Sequence, residues 1–276
     1  MAQYGIDLAG AVVIAAALDA FTEPLRVRFT EYRVRLPGWP PALSGLNILH
    51  LSDLHGRTTA FAHPRFQEWL DAADLVAVTG DLYSPTIPRR RLVRRLNDLD
   101  PARTLFVSGN HDYRRGRLHI APWVPPEAVI LDNRVVERTR GGARYQVAGL
   151  PDLRRGRPDW SRVTVAGDAP AILLAHRPDV VLNEAARKFN LVLTGHTHGG
   201  QVRMVGIGAI IKHSALPRSQ VYGLSWPRAH QALVVSGGLG TSELPVRFLN
   251  LPEVVRVVLE TGPAGDSSLS RQANPG

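Results

Sequence analysis

Residues 46–55 read LNILHLSDLH, an apolar run that ends abruptly in Ser52-Asp53-Leu54-His55. The pattern recurs. Residues 75–79 (LVAVT) stop at Gly80-Asp81, and 104–107 (TLFV) stop at Ser108-Gly109-Asn110-His111-Asp112. Farther along, 171–175 meets His176-Arg177-Pro178-Asp179, 191–194 meets Gly195-His196-Thr197-His198-Gly199-Gly200, and 233–236 meets Gly237-Gly238. Apolar runs of about 4–8 residues are too short for buried helices and fit strands covered on both faces. Between them, 65–73, 88–99 and 178–189 have helical character, so strand, polar loop and helix alternate as in an α/β fold. Valine-rich runs at 135–136, 145–148 and 254–259 add further strands. In such sheets ligands bind beyond the carboxyl ends of the strands, where every Asp and His cluster of this chain falls. No internal repeat or linker is visible, which predicts one main domain over 22–260.

Composition removes several classes. With 276 residues, 44% hydrophobic and 21% charged, the chain has room for a large core and is neither fibrous nor disordered. Thirty-three basic residues against 24 acidic give +9; Lys188 and Lys212 are the only lysines, leaving 31 arginines. That excess favours phosphates, anionic lipid or nucleic acid as partners. Aromatic residues at 7% are scattered, without a base-stacking pattern or a helix-turn-helix signature, which argues against nucleic acid. The absence of cysteine excludes disulfides, thiolate metal sites and a cysteine nucleophile. Along 88–99, Leu92, Val93, Leu96 and Leu99 share one face. The five arginines at 89–91, 94 and 95 form either a solvated face or an anion-attracting rim.

The two ends differ from the middle. Residues 8–18 (LAGAVVIAAAL) are uncharged and bounded by Asp7 and Asp19; as a helix they span roughly 16 Å, about half a bilayer core. No Lys or Arg precedes Arg26, so the positive region of a secretory signal is missing. Residues 1–21 are therefore either a short anchor followed by a basic segment (Arg26, Arg28, Arg33, Arg35) or a helix packed on the domain. The first makes the protein membrane-associated or peripheral, with an anionic membrane surface as partner; the second makes it cytoplasmic. Residues 261–276, rich in Gly, Ser and Pro, are expected to form a disordered tail.

The polar side chains at the strand ends are Asp53, His55, Asp81, Asn110, His111, His176, His196 and His198. Any one of them alone reads as a structural or surface residue; eight at successive strand ends do not. Carboxylate, carboxamide and imidazole without thiolate suit Mn, Fe, Zn, Co or Ni. Two such ions about 3.5–4 Å apart form a clamp for in-line displacement at phosphorus, and one carboxylate must bridge them. Asp81 is the natural bridge, because Gly80 lets the backbone approach closely. The spacing of Asp53 with His55, and of His196 with His198, puts two ligands on one side of an extended segment.

Taken in order, D-x-H at 53–55, G-D at 80–81, G-N-H-D at 109–112, the lone His176 and G-H-T-H at 195–198 resemble the calcineurin-like metallophosphoesterases. The longer GHTHGGQ at 195–201, Tyr222-Gly223 and GGLGTSELPVRF at 237–248 are similar to a bacterial branch with an amino-terminal membrane segment. The resemblance spans roughly 22–260. It implies a four-layer sandwich of two mixed β-sheets flanked by helices, α/β or α+β, with a dimetal site at the carboxyl ends of the strands. By the same resemblance, Asp53, His55, Asp81 and His198 surround one ion, and Asp81, Asn110, His176 and His196 the other. The ions would be divalent Mn, Zn or Fe, and bridging hydroxide would be the nucleophile. His111 would face the substrate and act catalytically with Asp81, stabilising phosphate charge or protonating the leaving group.

Two departures from the family pattern stand out. Ser84 occupies the place of an acid that often orients the G-N-H histidine, a part that Asp112 could take over in some measure. The apolar segment is also short for the branch. The expected activity is hydrolysis of a phosphodiester or pyrophosphate in a phosphorylated small molecule or lipid, such as UDP-2,3-diacylglucosamine. A metal-dependent nuclease and a non-catalytic phosphate-binding scaffold are the competing readings.

Overall fold

The computed structural model describes residues 2–82, 89–167, 169–204, 208–209, 211–242, 244–263 and 269–270. Its strands begin with β1 (Arg28–Leu36), β2 (Leu46–Leu51), β3 (Leu75–Thr79) and β4 (Thr104–Val107). A hairpin of β5 (Tyr113–Arg114) and β6 (Arg117–Leu118) precedes β7 (Val129–Ile130), β8 (Arg134–Arg140), β9 (Ala143–Gly149), β10 (Ala171–Leu174) and β11 (Leu191–Thr194). The short pair β12 (Arg203–Met204) and β13 (Gly208–Ala209) leads to β14 (Gly223–Arg228), β15 (Gln231–Val235), β16 (Glu253–Thr261) and β17 (Leu269–Ser270). Three α-helices are described: α1 (Ala2–Thr22), α2 (Pro64–Asp71) and α3 (Arg89–Leu96).

Two mixed sheets carry the domain. One has the order β17-β1-β16-β2-β3-β4-β7, the other β14-β15-β11-β10-β9-β8. Strands β2, β3 and β4 pair in parallel, as do β9, β10, β11 and β15, so their carboxyl ends line up along one edge of each sheet. Every residue of β2, β3, β4, β10, β11 and β15 is buried, which explains the unbroken apolar runs.

Within each strand the alternating side chains divide between two cores. Leu46, Ile48, Leu75, Ala77, Leu105 and Val107 of the first sheet face Ile172, Leu174, Leu191, Leu193, Ala232 and Val234 of the second. On the outer side of the first sheet, Leu49, Leu51, Val76, Val78 and Phe106 pack against Phe66, Trp69 and Leu70 of α2 and Leu92 and Leu96 of α3. The outer face of the second sheet, with Leu173, Val192, Leu233 and Val235, is covered by Val180, Val181, Ala186 and Phe189. This is the expected four-layer order. Each fully buried aliphatic side chain contributes about 1.5–3 kcal/mol, so the layers hold the strand ends in fixed relation.

Several local expectations are corrected. The stretch 178–189 is not one helix but two 3₁₀ turns, Pro178–Leu182 and Glu184–Lys188. Asn183 between them is extended (ψ 135°), and its side-chain oxygen accepts the Ala185 N–H, starting a new turn instead of continuing the old one. The basic segment after α1 is in large part β1, parallel to β16. All four of its arginines have carboxylate partners: Arg26 with Asp19, Arg28 with Glu253, and Arg33 and Arg35 with Glu260. In the tail, Leu269 and Ser270 pair with Tyr32 and Glu31; residues 264–268 and 271–276 lie outside the described residues, as does Ser84. Helix α1 is longer than the uncharged run because Asp7 and Asp19 continue it. Val13, Ile14, Leu18 and Phe21 are each more than 60% exposed, and the helix is tied to the domain near its end, where Ala20 O accepts the Arg247 N–H. Among the described residues no helix is long and apolar enough to cross a membrane.

Candidate metal centre

All eight strand-end residues singled out in the sequence converge on one edge of the sandwich. Asp53 and His55 follow β2, Asp81 follows β3, Asn110 and His111 follow β4, His176 follows β10, and His196 and His198 follow β11. Backbone hydrogen bonds tie these loops to one another: Asp53 N–H to Gly80 O (3.0 Å), His55 N–H to Asp81 O (2.9 Å) and Gly195 N–H to His176 O (2.9 Å).

The loops bend sharply, and the backbone records it. Ten non-glycine residues have positive φ among the described residues, and five of them are Asp53, His55, Asp81, His196 and His198. Such conformations cost of order 1–3 kcal/mol each and persist where the surroundings over-determine them. Two glycines make the crowding possible. A Cβ on Gly80 (φ +86°) would lie 2.5 Å from Gly109 N, and one on Gly195 would lie 2.2 Å from Asp53 Oδ2.

Two clusters result, and both could hold a cation. In the first, His198 Nε2 is 3.4 Å from Asp53 Oδ1 and 3.3 Å from His55 Nε2. In the second, His176 Nε2 is 3.2 Å from Asp81 Oδ2, 3.2 Å from Asn110 Oδ1 and 3.2 Å from His196 Nδ1. Donor atoms separated in this way match the edges of a coordination shell with bonds of roughly 2.0–2.1 Å. Asp81 Oδ2 also lies 3.7 Å from His55 Nε2, so a single carboxylate oxygen faces both clusters.

The electrostatics point the same way. Asp53 and Asp81 are fully buried, with no lysine or arginine against their oxygens in the bonds described. Burial opposes charge on His176, but the Asp81 charge and hydrogen bond, together with Asp53 and Asp152, outweigh it and raise the imidazole to about 10. A proton on His176 thus stands in for positive charge that the acids call for. Burial, with His176 and Arg177 adding to it, pushes His196 down to about 2. His55 and His198 are also lowered, in each case first by burial. By contrast His50, buried on β2 and 2.9 Å from Thr79 Oγ1, is lowered to about 3 by burial alone and belongs to the packing.

His111 is half-buried and its ring stands edge-on to His55 with centroids 5.0 Å apart. Its backbone N–H donates to Asp81 Oδ1 (2.8 Å), which places the imidazole beside the shared carboxylate. Asp112, the residue expected to take over in some measure the orienting acid's part, lies in the same 3₁₀ turn as His111. Its carboxylate accepts the N–H groups of Asp81 (2.8 Å), Leu82 (2.9 Å) and Gly109 (2.8 Å), which makes it the organiser of the two loops.

Sequence reasoning missed other residues here. Arg177 lies against Asn110 and His196 and is paired with buried Asp152. Arg247 is wholly buried behind His198, its guanidinium donating to the carbonyls of Gly237 (2.7 Å), Gly238 (3.0 Å) and Asn250 (3.2 Å). His213, at positive φ, lies 6.2 Å from His196 between ring centroids. None has a spacing that marks it. The closing Gln201 of GHTHGGQ also acquires a role: its amide donates to Leu244 O (3.0 Å) and accepts Ser242 N–H (3.1 Å). It thereby holds one wall of a pocket of about 250 Å³ that Ile211, His213, Leu244 and Val246 line beside His198.

Comparisons with known proteins identify the family. The family model for calcineurin-like phosphoesterases matches residues 46–200, more than half of the chain, so the protein belongs to that family and is a phosphoesterase. It is similar to YkuE, an uncharacterized metallophosphoesterase of Bacillus subtilis (strain 168), with 28% identity over 94% of this chain and 95% of that one. A transmembrane protein with metallophosphoesterase domain from Bos taurus is 27% identical over 85% of this chain and 57% of its own length. Among solved structures, TT1561 of Thermus thermophilus superposes with a TM-score of 0.45 at 19% identity, covering 71% of this chain and 91% of that one.

Proposed function

We propose that the protein is a dinuclear enzyme that hydrolyses a phosphodiester or pyrophosphate bond. The observation that carries this reading is the position of Asp81 Oδ2, 3.2 Å from His176 and 3.7 Å from His55, between two donor clusters. Asp53, His55, Asp81 and His198 would hold one divalent Mn, Zn or Fe ion, and Asp81, Asn110, His176 and His196 the other. When bound, the cations would neutralise phosphate charge and lower the pKa of water enough to furnish hydroxide near neutral pH. The chain's own residues then orient the reaction. Asp81 and Asn110 would fix the spacing, and the loop after β4, held to Asp81 Oδ1 through the His111 N–H, presents His111 to the leaving group, where its imidazole gives a proton or holds developing charge.

The pocket beside His198 supports a substrate with an apolar part, since Val202, Ile211, Leu244 and Val246 line it. A phosphorylated lipid or lipid-linked pyrophosphate such as UDP-2,3-diacylglucosamine fits that chemistry. The exposed apolar side chains of α1 support membrane association, as in the bacterial branch that the sequence resembles. Turnover of bis-p-nitrophenyl phosphate by the Mn-loaded protein, followed by comparison of a lipid pyrophosphate with single-stranded DNA, tests the reading. No turnover with both ions bound would leave a binding scaffold, and preference for DNA would leave a nuclease. Removing residues 1–18 should reduce sedimentation with anionic vesicles and leave turnover of the soluble ester intact.

A further inference from the structure

His176 and Arg177 leave the end of β10 together; His176 Nε2 meets Asp81, Asn110 and His196 in the second cluster, and Arg177 meets Asn110 and His196. Arg177 is 8% exposed, and each end of its guanidinium has a different task. Nε donates to Asp152 Oδ2 at 2.6 Å. Asp152 is itself fully buried, and its Oδ1 accepts the N–H groups of Arg154 (3.0 Å) and Arg155 (2.7 Å), so the anchor cannot swing. At the other end Nη2 donates to Asn110 Oδ1 (3.2 Å), and Nη1 abuts His196 Nε2.

The donor inventory makes the last contact informative. His196 turns Nδ1 toward His176 Nε2 (3.2 Å), inside the cluster. A neutral imidazole has one proton, so a ring that offers Nδ1 to a cation carries its proton on Nε2. Guanidinium has donors only, and Nε2–H can accept nothing from it. With Nδ1 committed to the cluster, Nη1 of Arg177 needs another acceptor, at a half-exposed edge of the site formed by Asn110 and His196.

We propose that Arg177, held by Asp152, is a substrate-binding residue that takes an unesterified oxygen of the phosphoryl group beside the second cluster. This rests on the phosphoesterase reading above. A planar guanidinium can keep its bond to Asp152 through Nε and still present Nη1 and Nη2 to the oxygen, a division that a lysine ammonium at this place cannot reproduce.

The test uses Arg177→Met and Arg177→Lys in the full-length, Mn-loaded protein, with inorganic phosphate as the probe. Metal content, phosphate affinity by calorimetry, and kcat and KM on bis-p-nitrophenyl phosphate are read for each. Both variants should retain two ions per chain. Phosphate affinity should fall about 10–100-fold in Arg177→Met and less in Arg177→Lys, with KM rising more than kcat falls. Should Arg177→Met not fold, because Asp152 loses its buried partner, Arg177→Lys carries the same comparison. Unchanged phosphate affinity with both ions bound, or a loss explained wholly by a missing ion, would overturn the assignment. If the parent binds phosphate through Arg177 but turns over no ester, the phosphoesterase reading fails and the assignment stands.

Discussion

On one side of Asp81, Asp53, His55 and His198 are all buried; on the other, Asn110 and His196 are half-exposed and only His176 is fully covered. Each side has its own arginine. Arg247 behind the first cluster is wholly buried, donates to carbonyls and lacks a carboxylate in its described hydrogen bonds; burial lowers it to about 10, with Asp53 and Glu253 opposing, so it stays charged at neutral pH. Arg177 at the second cluster is paired with Asp152 and lies against the half-exposed Asn110 and His196. On the proposed reading the contrast separates holding from reacting: the closed side would keep its ion through backbone and buried charge, and the open side would admit water and the phosphoryl group.

The largest expected effect comes from the residue the two sides share. Asp81→Asn keeps an acceptor for the His111 N–H and removes the negative charge, so the fold should survive while one ion is lost. Turnover should drop by about 10³-fold or more, since a single ion cannot clamp both oxygens of an in-line displacement; two ions retained at full occupancy would break the comparison. His111 comes next. His111→Ala should leave metal content near that of the parent and lower kcat by about 10²–10⁴. Because the loss reflects help to the leaving group, it should be smallest with p-nitrophenolate and largest with an alkoxide. Equal loss across leaving groups would assign His111 to charge stabilisation instead.

Asn110→Ala sharpens the difference between the sides. It removes a donor from the open cluster alone, so metal titration should show one ion weakened by about tenfold or more and the other unchanged. Uniform weakening would mean that the clusters are not independent.

The smallest effect is one proton. In the metal-free protein the acids raise His176 from its ordinary value to about 10. Its contribution to stability is therefore complete below about pH 6.5, the unfolded value, and is lost as pH rises through about 10. Cation binding needs the neutral ring, so at pH 8 it should expel that proton, and affinity should tighten with rising pH. Mn titrations in buffers of different ionisation heat would reveal the release; identical heats would contradict it.

These clusters are largely legible in the sequence because each candidate ligand follows a strand covered on both faces. The unbroken apolar runs mark the strands, and the polar residue after each run marks the edge. What stays hidden lacks that punctuation. β1 carries Arg28, Arg33 and Arg35, which read as part of a basic segment until their salt bridges to Glu253 and Glu260 are seen. The pair of 3₁₀ turns has helical periodicity, and only the extended Asn183 divides it. Arg177, Asp152 and Arg247 reach the site from positions set by loop conformation, and no spacing encodes that. The full length of α1 is hidden because Asp7 and Asp19, which lie within the helix, look like the limits of its apolar run.

Whether one carboxylate joins two cations is tested most directly by electron paramagnetic resonance of the protein titrated with Mn(II). Saturation at two ions per chain, with an exchange-coupled spectrum that collapses to isolated Mn(II) in Asp81→Asn, is the predicted result. Saturation at one ion, or two ions with uncoupled spectra in the parent, would contradict a shared Asp81 bridge.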